Sequence, residues 1–232
     1  MTRIYVACFG ALLIASSVSA ALSKDEVKRL NESATILTEL RTSPDKGIPE
    51  ELWNRAECVL VIPSMKKAAF IFGGEYGSGV MSCHNANTWS APIFMQLAKG
   101  SWGLQIGAEE VDLVLLLMNR RGVDKMLEDK VSLGADASVA AGPVGRTASA
   151  ATDAQLHAEM LSYSRSQGLF AGIDLSGGVL RPDKDADTRA YGNQITARQV
   201  ISGSGAAPAP AAARPFLDAL SRDVRATTGR KE

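Results

Sequence analysis

The sequence has few of the residues on which enzyme and metal chemistry most often depend. It contains 2 histidines and 3 cysteines among 232 residues. It also has no Gly-x-Ser-x-Gly elbow, no phosphate loop ending in Gly-Lys-Ser/Thr and no His-Glu-x-x-His pair. Neither His84 nor His157 lies in a recognisable catalytic setting. These absences predict a protein that is not an enzyme.

The chain also lacks net charge and, after its first residues, any apolar run long enough to cross a membrane. Its 25 basic and 25 acidic residues sum to zero, so no overall field favours nucleic acid. Between residues 68 and 108 only Glu75 and Lys99 are charged, but glycines interrupt this stretch repeatedly. A membrane-crossing helix needs roughly 20 apolar residues without such breaks, whereas glycine within a strand marks a bulge or a close backbone approach. The pattern predicts a buried sheet.

The amino-terminal segment has the pattern of a secretory signal peptide over residues 1–20. Arg3 precedes an apolar run from Ile4 to Ala15, and small residues follow up to Ala20. This pattern predicts a mature chain that begins near Ala21 and is exported, either to the periplasm or out of the cell.

Two cysteines, Cys58 and Cys83, remain after that segment. In an oxidising compartment they could form a disulfide, which would contribute roughly 3 kcal/mol on a chain-entropy estimate. Two buried thiols are the alternative, because free cysteine behaves as a small hydrophobe. Sequence alone does not determine the distance between them, so both readings stay open.

An amphipathic helix is predicted from Lys24 to Arg41. Apolar residues recur there at intervals of three and four, and Ser23 with Glu26 forms a capping box at its start. The apolar face of such a helix either packs on a sheet or inserts into a membrane.

Strands dominate the region that follows. Pro63 is predicted to end a first short strand, and Lys99 with Gly100 is predicted to form a hairpin turn. Later helices are predicted from Arg121 to Lys130, from Asp183 to Tyr191 and from Thr196 to Ile201. The expected class is α+β: a β-rich, mostly antiparallel sheet or barrel-like core with the leading amphipathic helix and flanking helices.

The expected domain spans residues 21–203, and residues 204–232 are expected to form a linker with a short terminal segment. Ser202–Pro215 is rich in Ala, Gly and Pro and is predicted to remain unordered. An amphipathic piece follows it, with Phe216 and Leu220 among its apolar residues.

Acidic residues suggest no metal site. Asp183, Asp185 and Asp187 alternate as at the start of a calcium loop, but Thr188 and Gln194 stand where glycine and glutamate are required. Asp183 is better explained as a helix cap. We expect no metal and no cofactor. A buried polar pocket around a carboxylate such as Asp112 or Asp174 would favour an enzyme instead.

Several segments, in their order and spacing, resemble the SYLF family, and the similarity covers about Ser23 to Gly203. The residues that carry it are Ala56, Cys58 to Pro63, Lys67 to Gly74, Gly77, Gly79, Trp89 to Pro92, Gly103 to Gly107, Asp112 to Met118, Leu133, Gly134, Ala141 to Gly145, Tyr163 to Gly172, Leu175, Gly177 and Tyr191. The resemblance implies binding of anionic membrane lipids, phosphoinositides among them, and implies no enzymatic activity. The actin activity of some members transfers poorly to a chain with an export signal.

Six residues are candidates for lipid contact: Lys66, Lys67, Trp89, Lys99, Arg120 and Arg121. Four cations near an anionic surface would supply roughly 4 kcal/mol, which is only millimolar attachment. An apolar insertion must therefore contribute, from the leading helix, the Trp89 loop or the Phe216 segment.

Two hypotheses follow. The first is an exported protein that associates peripherally with anionic phospholipid. The second is a non-enzymatic structural or adaptor protein of the envelope that holds a protein partner through the leading helix or the terminal segment.

Overall fold

The architecture is a curled, mostly antiparallel sheet that forms a half-barrel, with helices packed on it, and it confirms the predicted α+β class. The computed structural model describes residues 21–42, 47–69, 72–85, 88–102, 107–144, 157–166, 169–204 and 208–221. The predicted signal peptide, residues 1–20, lies outside the described residues.

Four long strands form the centre of the sheet, and short strands extend it on both sides. The strands are β1 (Cys58–Ala69), β2 (Phe72–Asn85), β3 (Thr88–Trp89), β4 (Ile93–Trp102), β5 (Gly107–Leu117), β6 (Val131–Ser132), β7 (Val139–Ala141), β8 (Met160–Ser166), β9 (Leu169–Gly172) and β10 (Gly178–Pro182). Their order is β6-β10-β4-β2-β1-β5-β8-β7, with β3 paired to β2 and β9 paired to β8. The pairing of β7 with β8 is parallel.

The helices predicted at 24–41, 121–130, 183–191 and 196–201 form within about two residues of those bounds. In the described residues the helices are α1 (Lys24–Thr42), α2 (Glu50–Arg55), α3 (Arg120–Glu128), α4 (Lys184–Tyr191), α5 (Ala197–Ser202) and α6 (Arg214–Ser221). The predicted capping box is confirmed: the Ser23 amide donates to Glu26 Oε2 at 2.6 Å, and the Glu26 amide donates to Ser23 Oγ at 3.3 Å. Asp183 caps α4 as predicted, since its side chain accepts from the Ala186 amide.

The prediction that Pro63 ends the first strand is wrong, because the chain forms a β-bulge there. The pairing of β1 with β2 and with β5 shifts register around Pro63, and Ser64 adopts a left-handed φ of 47°. Proline has no amide hydrogen for a central ladder, and a bulge lets the strand continue beyond it. The Ser64 amide donates to Asp112 Oδ1 at 2.9 Å, which ties the bulge to β5.

Lys99 and Gly100 do not form a turn either. They lie within β4, where Lys99 is opposite Glu75 and Gly100 is opposite Gly74. Residues 131–141 contain two separate short strands, β6 and β7. β8, which pairs with β5, was not predicted at all.

The carboxy-terminal segment extends the folded part beyond the expected boundary at residue 203. The prediction that Ser202–Pro215 stays unordered is wrong for its described part from Pro208 onward, where Ala211–Ala213 forms a 3₁₀ turn and leads into α6. Phe216 is completely buried, and α6 packs against α1. This apolar segment therefore belongs to the core.

A disulfide joins Cys58 and Cys83, which lie directly opposite each other on β1 and β2. Of the two readings that the sequence left open, the structure shows the bonded one. Both residues are fully buried.

Reduction of this bond is expected to lower the stability of the protein. The bond closes a loop with a sequence separation of 25, and losing such a closure costs about 3 kcal/mol. For a domain of this size that corresponds to a fall in Tm of roughly 6–12 °C, measurable by circular dichroism with and without reductant. The double variant Cys58→Ser/Cys83→Ser is the control, and its Tm should not respond to reductant. An unchanged wild-type Tm after confirmed reduction would contradict the prediction.

Candidate functional site

At the end of the sheet where β1 is followed by β2 and β4 is followed by β5, charged residues and a tyrosine are exposed to solvent. We call this end of the sheet the exposed end: residues 66–69 of β1, 72–76 of β2, 98–102 of β4 and 107–110 of β5. Lys66, Gly74, Tyr76, Gly100 and Glu110 are all exposed there. A side chain built on Gly74 or Gly100 would meet no atom within 4 Å, so these positions face open space.

Charges alternate in register across the exposed end. Along one row, Glu109 of β5 is opposite Lys67, Lys67 is opposite Glu75, and Glu75 is opposite Lys99. In the next row Lys66 is opposite Glu110. Three lysines thus face three glutamates, and opposite charges that sit directly across a strand pair stabilise each other. The exposed end has no net positive charge.

Lys99 has a further partner, because its Nζ donates to the Asp174 carbonyl oxygen at 3.1 Å. The side chain of Lys67 lies outside the described part of the structure, so only its register is known. Lys66 is exposed and lies opposite Tyr76.

One face of the exposed end has a distinctive composition. Tyr76 is 49% exposed, and with Val144 it is one of the two large hydrophobic residues that the described part of the chain leaves exposed. Because alternate residues of a strand share a face, the next row on the face of Tyr76 includes Gly74 and Gly100, which lie opposite each other and face open space. We call these two rows the Tyr76 face.

The other predicted contact residues lie at the opposite end of the strands. Arg120 follows β5 and is 4.0 Å from Glu57, and the Trp89 ring centroid is 3.9 Å from that of His84. Leu117 lies seven positions after Glu110 along β5, which is about 24 Å of extended strand. The six candidate residues therefore lie at two places: Lys66, Lys67 and Lys99 at the exposed end, and Trp89, Arg120 and Arg121 toward the other end of the strands.

Two of the three predicted apolar insertion elements are used in the core. Leu30, Leu37 and Leu40 of α1 are buried, and α1 packs against β1, β2 and α6. Phe216 of α6 is buried in the same layer. The amphipathic pattern of α1 therefore reflects packing on the sheet. No helix in the described ranges combines the length and the apolar character that crossing a bilayer would take.

Asp112, which the sequence suggested as a carboxylate that could act in a pocket, has a structural role instead. Its Oδ1 accepts from the Ser64 amide, and its Oδ2 accepts from Arg165 Nε at 2.8 Å and lies 2.6 Å from Arg165 Nη2. Arg165 also pairs with Glu39 of α1. Burial raises the pKa of Asp112, and the Ser64 hydrogen bond opposes that rise. Asp112 therefore stabilises the bulge directly, through Ser64, and the position of α1 indirectly, through Arg165.

Asp174 has a local role too. Its Oδ1 accepts from the Ser176 amide at 2.8 Å and from the Ser176 hydroxyl at 2.6 Å, and these hydrogen bonds hold the pKa of Asp174 below its usual value. In the described part of the chain, no three His, Cys, Asp or Glu residues are grouped so that they could hold a metal ion.

A buried carboxylate cluster at the junction of α1, α4 and β4 was missed by sequence reasoning. Glu26, Asp183 and Asp187 are at most 7% exposed. Arg189 Nη2 is 2.6 Å from Glu26 Oε1, and Arg29 Nη1 is 3.4 Å from Asp183 Oδ2. The capping patterns predicted the local roles of Glu26 and Asp183. No signal in the sequence indicates that the starts of α1 and α4 contact each other.

Comparison with known proteins identifies one family. Its model, described as Ysc84, Las17-binding protein actin regulator, matches residues 98–223. An SH3 domain-containing protein of Schizosaccharomyces pombe is 37% identical over 207 residues, covering 87% of this chain and 47% of that protein. Protein YSC84 of Saccharomyces cerevisiae is 35% identical over 180 residues, covering 76% and 38%. SH3 domain-containing YSC84-like protein 1 of Homo sapiens is 32% identical over 201 residues, covering 85% and 58%.

The chain therefore spans about half the length of the curated relatives it matches, or less. These relatives are named for an SH3 domain or for likeness to Ysc84, and not for a reaction. They also contradict the predicted localisation. We predicted a periplasmic or secreted location, and this prediction is wrong, because the yeast and mammalian relatives are SH3 domain-containing and Las17-binding proteins.

Proposed function

The chain belongs to the Ysc84 family of Las17-binding protein actin regulators, and from this premise we propose that it is a non-enzymatic module that binds anionic membrane lipid through its exposed end. The lipid class is the one that the family resemblance implies. The contact is peripheral, because the surface offered is one end of a folded sheet.

The Tyr76 face is the observation that carries this proposal. Tyrosine is enriched where an apolar and an aqueous phase meet, because its ring is apolar and its hydroxyl is polar. Tyr76 is half-exposed and lies opposite Lys66, and the next row on its face toward the end of the strands contains Gly74 and Gly100, which face open space. Such a sequence of rows suits insertion of the strand ends, with Tyr76 and Lys66 at the headgroup level.

Charge alone does not drive this contact, since three lysines and three glutamates balance at the exposed end. A single lysine near an anionic surface contributes about 1 kcal/mol. The greater part of the affinity then comes from apolar residues, and binding should respond only weakly to salt.

Vesicle pelleting tests the proposal with the full chain. Tyr76→Ser is expected to weaken binding about five- to thirty-fold to any vesicle that binds the wild type, because burial of the exposed part of the ring contributes about 1–2 kcal/mol. Lys66→Glu changes the local charge by two units and should weaken binding to phosphatidylserine or phosphoinositide vesicles roughly thirty-fold, with little change on phosphatidylcholine.

Arg121→Glu is the matched control, because Arg121 is exposed and follows the opposite end of β5. It should bind as the wild type does. Failure of the wild type to pellet with either vesicle at low salt, or an equal loss in Arg121→Glu and Lys66→Glu, would count against the exposed end. Thermal melting of each variant verifies that it is folded.

A protein-binding adaptor is the second candidate, and the family's association with Las17 binding and actin regulation favours it. Cross-linking in cells distinguishes the two. A stoichiometric protein neighbour recovered without lipid, together with a negative vesicle assay, would replace the lipid proposal with the adaptor.

A further inference from the structure

The carboxylate cluster between α1, α4 and β4 contains more negative than positive groups. Glu26 and Arg29 come from α1, and Asp183, Asp187 and Arg189 come from the start and body of α4. Two guanidinium groups thus face three carboxyl groups. Arg29 also lies over the Phe94 ring of β4, with its Cζ 5.5 Å from the ring centroid.

Two of the three carboxyl groups have a cationic partner. Glu26 Oε1 accepts from Arg189 Nε at 2.7 Å, and Asp183 pairs with Arg29 and caps α4 through the Ala186 amide. Asp187 forms an ion pair with neither Arg29 nor Arg189. Its Oδ1 accepts from the Phe94 amide at 2.8 Å, while its Oδ2 is buried without a hydrogen-bond partner in the described structure.

We propose that Asp187 is a proton-operated clamp that holds the first turns of α1 and α4 on β4. When its carboxyl is neutral, the two remaining carboxylates balance the two arginines. When it ionises, the cluster gains a third negative charge. This charge lies on a side chain that is only 6% exposed, is repelled by Asp183 and Glu26, and has no ion-pair partner among the described residues. Ionisation therefore favours opening of this corner, which would bring Leu30 at the start of α1 into water. This inference goes beyond the proposed lipid binding and does not depend on it.

The surroundings of Asp187 bring the ionisation of its carboxyl group close to neutral pH. Burial raises the pKa of Asp187 to about 7, and the Asp183 and Glu26 charges add to the rise, while the Phe94 amide and Arg29 oppose it. Tyr191, whose hydroxyl donates to the Pro92 carbonyl oxygen, is neutral, because burial and the charge of Asp187 raise its pKa well above its usual value.

The sign of the pH dependence follows from the two pKa values. In the open form Asp187 titrates near 4, as in a free chain. Between about pH 4 and pH 7 the closed form keeps a proton that the open form has lost, so rising pH favours opening, by at most tenfold per pH unit. Above about pH 7 both forms are ionised and the dependence levels off.

Hydrogen exchange of the α1 amides, corrected for the intrinsic exchange rate, tests this clamp in the intact chain. In the wild type the opening constant of the first turns of α1 should rise by at least tenfold between pH 5 and pH 7, and Asp187→Asn should abolish that rise. Asp185→Asn is the control: Asp185 is on the same helix but exposed, and the rise should persist.

A carbon-13 titration of the Asp187 carboxyl in the wild type keeps the proposal testable if Asp187→Asn does not fold. A midpoint between pH 6 and pH 8 supports the clamp, and a midpoint near pH 4 overturns it. A wild-type opening constant that is flat from pH 5 to pH 7, or a rise that persists in a folded Asp187→Asn variant, also overturns it.

Discussion

Replacement of Gly79 by alanine is expected to lower the free energy of unfolding by at least 3 kcal/mol. A Cβ at Gly79 would overlap the Val61 carbonyl oxygen of β1 and lie 2.6 Å from Ile62 Cγ1. The first of these atoms is backbone in the central strand, so it cannot move aside without distorting the ladder with β2. Overpacking in a core typically costs 1–3 kcal/mol, and a rigid obstacle places this substitution at or above the top of that range.

Gly77→Ala and Gly74→Ala, on the same strand, are expected to destabilise the protein less than Gly79→Ala, and Gly74→Ala least of all. At Gly77 a Cβ would meet side-chain atoms, Ile62 Cγ2 at 2.5 Å and Met65 Cγ at 3.0 Å, and side chains can adjust. At Gly74 it would meet nothing within 4 Å, so Gly74→Ala should change stability by less than about 0.5 kcal/mol. Urea unfolding followed by tryptophan fluorescence measures the three values. A loss at Gly74 equal to that at Gly79 would show that the close contact with β1 is not the cause.

Phe216→Ala is expected to cost about 3–5 kcal/mol, the range for removing a buried aromatic side chain from a core. Phe216 is completely buried, and its helix α6 covers α1 with Ala219 and Leu220, which are also buried. The same truncation at Leu217, which is only partly buried, should cost about 1 kcal/mol or less.

Denaturant unfolding of the two α6 variants checks this expectation. If Phe216→Ala and Leu217→Ala destabilise equally and by less than 1 kcal/mol, α6 contributes little to the core, and residues 208–221 would behave as the appended segment that composition alone suggested.

The helix starts could be predicted because their causes are local. Ser23 and Glu26 cap α1 within one turn, and Asp183 caps α4 in the same way. The class was also accessible, because closely spaced glycines in an almost uncharged region indicate tightly packed strands. The close approach that this pattern implies is found at Gly77 and Gly79.

Strand boundaries and the site depended on partners far along the chain. Pro63 is a strand breaker by local rules, but β2 and β5 pair on both sides of it and a bulge absorbs the mismatch. Lys99 and Gly100 have the composition of a turn, yet β2 pairs with them and keeps them extended. The six predicted contact residues were grouped by residue type, and only the register shows that three of them lie about 24 Å of strand away from the other three.

Local patterns were enough to predict the features that one helical turn or one strand face governs, which are the caps, the amphipathic faces and the glycine-rich sheet, and the order of the motifs was enough for the family resemblance. The packing of the folded chain settled which face of each element is used and for what. It placed the apolar sides of α1 and α6 in the core, put each lysine of the exposed end opposite a glutamate in the strand register, and buried Asp187 without an ion pair to either arginine. These outcomes depend on contacts between residues distant in sequence, and the free energies of charge and burial depend on those neighbours rather than on the residue type.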